Sequence, residues 1–318
     1  MMNQVVDILG ITYPVIQAPM TWITSPEMVA AVSNAGGLGV MGISAGFEEQ
    51  KVSVEDTTEE MRKQIRQLKT LTDKPFGVNV FTEPFDAGGF SKATIEMLKE
   101  ENVTILVAAG PVVPEQIKSW KEDGFTVIFR DMFPTIRGAV LAQDAGADIL
   151  VATGSDEGGG MSSHAVSAFA LTALMKEAVT IPVLVAGGVV NQPLAKAAKA
   201  VGADGLFVGT RFILSKECRA SAATKEDILH THPDDYIVVT QAGGGMQWRS
   251  TPHKVAKTGQ EQNQQGNLNA DIGSFYEGML KGNLDAGINT VSNVASLIKS
   301  IDSCEEIVLE LAKGFEVE

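Results

Sequence analysis

Two glycine-ended apolar runs are the first residues in this chain that could do chemistry. They are Ile181-Pro-Val-Leu-Val-Ala-Gly-Gly188 and Gly205-Leu-Phe-Val-Gly-Thr-Arg-Phe212. A helix-like stretch from Gln192 to Val201 and a Gly-Ala-Asp turn lie between them. The pattern reads as strand, bare-backbone loop, helix and a second strand with the same ending. Glycine lets backbone N–H groups approach an anion with no side chain in the way. Two neighbouring strands that end like this form a clamp for a phosphate, and the last two strands of a (β/α)₈ barrel are its usual place. Ala186, Gly187, Gly188, Gly209 and Thr210 are therefore the candidate anion-binding residues.

Other candidates fall where further strands should end. Pro19, Met20 and Thr21 follow the first apolar run, and Asn79 closes the third. A buried amide can offer donors and an acceptor to a heterocycle, although Asn79 could equally cap the next turn. Arg130 follows the fifth run, where it could face a developing anion or pair with Asp131. Gly158, Gly159 and Gly160 form a second bare loop after the sixth run, read as a cradle or as a mobile loop. Glu157 or Asp156 could coordinate magnesium but reads better as a solvated loop acid, and no His/Cys/Asp cluster has the ligand spacing of a metal site. His164 is the single histidine of the barrel half, either an acid–base group or an exposed helix start. His253, in Arg249-Ser-Thr-Pro-His253, could reach over the site from a later segment. Trp22 could wall the pocket or lie under the first loop.

The elements that must position these residues recur regularly. Strand-like runs begin near Pro14, Gly36, Pro75, Val103, Thr126, Asp148, Ile181 and Gly205, with helical segments between them. They are short and apolar and hardly alternate, the pattern of strands covered on both faces. Eight such units predict an α/β fold, a TIM (β/α)₈ barrel rather than an open doubly wound sheet. Residues 221–292 break the rhythm with a Gln-, Asn- and Gly-rich stretch. This predicts a smaller helical insertion or lid after strand 8, with residues 1–220 and 293–318 forming the barrel and Asn293–Lys313 its last helix.

Bulk properties narrow the class. The chain has 318 residues, a formal net charge of −14 and two distant cysteines. That charge argues against nucleic acid or an acidic membrane as partner. The cysteines predict a reducing compartment rather than a disulfide framework. With no apolar run of about 20 residues and no signal-peptide pattern, the expectation is a cytoplasmic protein acting on a small molecule, with a homodimer possible.

Taken together, Ile11-Thr-Tyr-Pro-Val-Ile-Gln-Ala-Pro-Met20, Asn34-Ala-Gly-Gly-Leu-Gly-Val40, Lys74-Pro-Phe-Gly-Val-Asn79, Val185-Ala-Gly-Gly188 and Val208-Gly-Thr-Arg-Phe212 resemble the nitronate monooxygenase (2-nitropropane dioxygenase) family, which includes the similar enoyl-ACP reductase II enzymes. The resemblance covers about Val5 to Phe212. It implies bound FMN, with the phosphate on Gly187, Gly188, Gly209 and Thr210 and the ring against Pro19, Met20 and Thr21 near Asn79. Gly158 and Gly159 match the residues before the family's usual active-site histidine, but here Gly160 stands in its place. A nitronate is already an anion and needs no base, so its oxidation could survive that loss, whereas a neutral nitroalkane needs one. The resemblance therefore implies an FMN-dependent oxidoreductase acting on a nitronate. An NAD(P)H-dependent enoyl thioester reductase and an FMN-binding protein with little catalysis are the alternatives. For docking an acidic carrier, Lys196, Lys199, Arg211 and Lys216 are candidates for a basic patch.

Overall fold

The computed structural model describes residues 3–83, 85–86 and 88–316. Each predicted apolar run forms a strand: β1 (Val15–Gln17), β2 (Gly39–Met41), β3 (Phe76–Phe81), β4 (Ile105–Gly110), β5 (Thr126–Asp131) and β6 (Ile149–Thr153). A short additional strand, β7 (Gly160–Ser162), precedes the last two barrel strands, β8 (Val183–Ala186) and β9 (Gly205–Val208). The barrel strands are parallel, in the order β1-β9-β8-β6-β5-β4-β3-β2. A parallel bridge between Ile16 and Leu38 closes the ring. There the Leu38 N–H donates to the Val15 carbonyl and the Gln17 N–H to the Leu38 carbonyl, both at 2.9 Å. The fully buried Gln17 side chain continues the seam, its Oε1 accepting from the Val40 N–H at 3.0 Å. The fold is a TIM barrel.

The lack of alternation in the strands follows from two buried faces. Ile105 and Val107 of β4 join the barrel interior with Ile16, Ile128, Val151, Leu184 and Phe207. Leu106 and Ala108 of the same strand join the layer beneath the helices. Both faces are dry, so both are apolar. The helices begin where polar caps place them. Ser25, Thr135 and Asn191 accept from the backbone N–H groups of Met28, Gly138 and Leu194 at 3.3, 2.9 and 3.1 Å, satisfying otherwise orphaned donors.

Residues 221–292 hold the expected helices, Ala222–His230 and Lys254–Gln264, and also a hairpin, β10 (Ile237–Gln241) and β11 (Met246–Ser250). The hairpin turns through Ala242, Gly243 and Gly244, with φ of 53°, 66° and 96°. β11 also pairs antiparallel with β7, Trp248 opposite Gly160 and Met246 opposite Ser162. The loop after β6 is thus stitched to the insertion rather than left mobile. The last helix is shorter than expected, Cys304–Ala312. Its start is fixed by a capping box between Ser303 and Glu306, while Asp302 just before it bridges to Ser215.

Candidate active site

A cavity of about 240 Å³ opens at the carboxyl ends of the barrel strands. Ala186, Gly187 and Gly188 line it from the end of β8, and Gly209 and Thr210 from the end of β9. Gly187 and Gly188 have φ of 102° and 72°, a conformation glycine adopts freely and L residues do not. A Cβ at Gly187 would lie 2.6 Å from the Glu157 nitrogen. At Gly188 it would meet a Phe169 ring carbon at 3.1 Å. Among the described residues the N–H groups of Gly188 and Gly209 have no acceptor. The Thr210 hydroxyl accepts from the Ser292 N–H at 3.1 Å, which leaves its own proton to donate. Unpartnered donors converging on one end of a cavity fit a phosphate monoester.

The rest of the wall is mostly neutral. Ala18, Pro19, Met20, Thr21 and Val107 line it with Asn79. Thr24 fixes the Met20 backbone: its Oγ1 accepts from the Met20 N–H at 3.0 Å and donates to the Met20 carbonyl at 2.7 Å. The Asn79 amide donates to the Val107 and Val80 carbonyls at 2.8 and 3.4 Å. Its carbonyl oxygen is left as an acceptor for a heterocycle.

Charge enters the cavity through Arg130 and Glu157. Arg130 pairs with Glu157 and not with Asp131: its Nη2 donates to the two carboxylate oxygens at 2.8 and 2.7 Å. Its Nε donates to Thr153 Oγ1 at 3.2 Å. Its Nη1 has only the Met132 thioether, at 2.8 Å, among the described residues. Asp131 instead accepts from the Phe133 N–H at 2.8 Å. Glu157 is a buried, cavity-lining group, which corrects its reading as a solvated loop acid. Burial pushes its carboxyl above the ordinary range, with Arg130 and then Arg249 pulling it back. Asp156 is also engaged, accepting from the Ala168 N–H at 2.5 Å and from the Asn293 amide at 2.9 Å.

The fixing element comes from the insertion. Arg249 on β11 donates to the Glu157 and Ser155 carbonyls, each at 2.8 Å, and holds the loop that carries Glu157. Trp248, Phe275, Met279, Thr290 and Ser292 line the cavity beside the barrel residues. Gly158, Gly159 and Gly160 do so as well. A Cβ at Gly160 would meet Met246 Sδ at 3.0 Å and a Trp248 ring carbon at 3.2 Å. The space beside Gly160 is therefore filled by these two side chains.

The histidines lie elsewhere. His164 is exposed, and His253 is bonded through Nε2 to Asp227 at 2.9 Å, within the insertion. Neither lines the cavity, so neither is placed to act there as the sequence suggested. Trp22 is buried against Phe47 and Tyr276, with ring centroids 6.4 and 4.8 Å away. Three of the residues offered for a basic patch have partners in the C-terminal segment. Arg211 pairs with Asp302, Lys216 with Glu306 at 3.3 Å, and Lys199 with the Phe315 and Glu316 carbonyls at 2.9 and 3.0 Å.

A closed parallel barrel with bare-backbone strand ends at its mouth defines the class: a TIM-barrel enzyme whose cavity lies at the carboxyl ends of its strands. Residues 3–314 match the family model described as nitronate monooxygenase. The chain belongs to that oxidoreductase family. It is 28% identical over 295 residues to a probable nitronate monooxygenase of Staphylococcus haemolyticus, covering 80% of each chain. It is 33% identical over 255 residues to (3aS,4S,5R,7aS)-5-hydroxy-7a-methyl-1-oxo-octahydro-1H-indene-4-carboxyl-CoA dehydrogenase of Rhodococcus jostii. That match covers 79% of this chain and spans 65% of the length of the relative. Among solved structures, FabK from Thermotoga maritima superposes with a TM-score of 0.86 at 31% identity, covering 99% of this chain and 96% of that one. No helix among the described residues is long and apolar enough to cross a membrane.

Proposed function

We propose that this protein is an FMN-dependent oxidoreductase of the nitronate monooxygenase type. The observation that carries the reading is the pair of unpartnered N–H groups on Gly188 and Gly209, beside the bare backbone of Gly187, at the end of a largely neutral cavity. These groups, with Thr210, would hold the phosphate. Pro19, Met20, Thr21, Asn79, Ala186, Gly158 and Gly159 would border the ring. FMN, when bound, supplies the electron-accepting chemistry that the side chains lack. Arg130 supplies the charge. Its Nη1 faces no oxygen acceptor among the described residues, so an anionic nitro group can take that position with a charge-assisted hydrogen bond. The insertion, through Trp248, Phe275 and Met279, excludes water from the same space.

A second reading is favoured by one feature. The cavity wall at Phe81 continues outward through Phe85 and Phe133, with successive ring centroids 6.3 and 6.0 Å apart. Such an apolar path suits an acyl group, and the FabK structure and the carboxyl-CoA dehydrogenase are among the relatives. An NAD(P)H-dependent reductase of enoyl thioesters is the corresponding activity. Anaerobic mixing of the FMN-loaded protein separates the two. Rapid bleaching by propyl-1-nitronate and not by NADH is the expected result. Bleaching by NADH with reoxidation by crotonyl-CoA would replace the first reading by the second, and bleaching by neither would leave a flavin-binding protein.

A further inference from the structure

The glycine at position 160 leaves the cavity without the histidine base that the family resemblance implies, and the described histidines lie outside it. Among the described residues one carboxyl side chain, that of Glu157, lines it. We propose that Glu157 is the acid–base residue of this site, acting on the carbon next to a nitro group that Arg130 holds. This inference rests on the nitronate monooxygenase reading and extends it to neutral nitroalkanes.

The geometry supports the assignment in three ways. First, both Glu157 oxygens accept from the same Arg130 nitrogen, Nη2. A carboxylate has about four lone-pair sites, so each oxygen retains capacity after that contact. Second, the other guanidinium nitrogen, Nη1, meets only the Met132 sulfur among the described residues, and Arg130, Met132 and Glu157 all line the cavity. A donor and a proton acceptor thus stand side by side on one wall. Third, the pair is held from outside. Thr153 accepts from Arg130 Nε at 3.2 Å, and Arg249 fixes the Glu157 carbonyl at 2.8 Å. Two groups locked in this way are preorganised for a proton transfer rather than free to drift apart.

The step balances without an added reactant. The Glu157 carboxylate takes the proton from the α carbon, and an O–H bond forms as the C–H bond breaks. The bonding pair stays on the substrate as the nitronate, whose negative charge falls on the nitro oxygens beside Arg130. The charged groups facing Glu157 are Arg130 from β5 and Arg249 from β11, with Asp156 next to it in its own loop. Burial disfavours the anionic carboxylate, which makes it a stronger base than a solvated glutamate.

The test uses the FMN-loaded protein and compares neutral nitroethane with preformed ethyl nitronate by oxygen uptake. Glu157→Gln should lower the ratio of kcat/KM for nitroethane to that for ethyl nitronate by about 100-fold or more. The variant should still fold and bind FMN, read as a single cooperative melt and a yellow holoprotein. The wild type alone gives a second readout. Its nitroethane kcat/KM should fall as pH drops through one ionisation above the ordinary glutamate range, and should fall several-fold with 1,1-dideuterated nitroethane. Equal losses on both substrates would make the Arg130–Glu157 pair a structural brace and overturn the proposal. So would a wild type active on the nitronate and inactive on nitroethane. A wild type inactive on the nitronate would remove the functional reading itself, which is a separate outcome.

Discussion

Replacing Gly209 by Asp tests the anion clamp while leaving the fold alone. Gly209 is half-buried, with φ of −105°, which any L residue adopts. A Cβ there would touch only Ala18 Cβ at 3.8 Å and Met20 Sδ at 3.9 Å, both ordinary contacts. Gly187 and Gly188 make poorer probes, because their positive φ values would strain any replacement. A carboxylate at position 209 would stand beside the phosphate. Two unit charges about 4 Å apart at an effective dielectric near 20 repel by roughly 4 kcal/mol. The mouth is partly open to solvent, so about 3 kcal/mol is a fair working figure, roughly 100-fold in Kd. Gly209→Asp should therefore emerge colourless, with FMN affinity down about 100-fold by fluorescence quenching. Gly209→Ala should bind within a few-fold of wild type. The two apoproteins should melt within about 2 °C of wild type, as expected for a change that adds no clash. Full flavin occupancy in the Asp variant would refute the placement of the phosphate.

Three further outcomes follow from the packing and ionisation. Gly160→His, which restores the family's histidine, should overpack against Met246 and Trp248; the cost is about 2 kcal/mol, read as a melting temperature lower by roughly 4 °C. The Glu157 carboxyl is raised in the folded state, so the folded protein binds the extra proton between the unfolded and folded pKa values. Its contribution to stability should fall as pH rises through that window, and urea midpoints of wild type and Glu157→Gln should converge at low pH and diverge above it. Ser303→Ala removes the cap of helix Cys304–Ala312 and should cost about 1 kcal/mol in urea unfolding.

The barrel was legible because strands buried on both faces must be apolar throughout, and helix caps such as Ser25 carry their own signal. The bare backbone at the end of β8 was legible for a related reason: Gly187 and Gly188 mark a conformation that L side chains rarely adopt. The Arg130–Glu157 pair was not. Glu157 sits in a glycine-rich loop that looks solvated, and what buries it arrives with Arg249, 92 residues later. Burial of that kind is a tertiary property with no local pattern. The hairpin did leave a trace, the β-branched run Ile237-Val-Val-Thr240 ahead of Gly243-Gly-Gly245, a strand followed by a turn. His253 misled because a lone histidine in a polar segment says nothing of its partner, which is Asp227.

In the proposed function, bare backbone at the ends of β8 and β9 grips the phosphate of a flavin. Calorimetric titration of the apoprotein with FMN and with riboflavin, which shares the ring and lacks the phosphate, addresses it directly. One FMN per chain is expected, with an affinity for riboflavin weaker by about 100-fold, the worth of two charge-assisted hydrogen bonds. Equal affinities, or no binding of either, would contradict it.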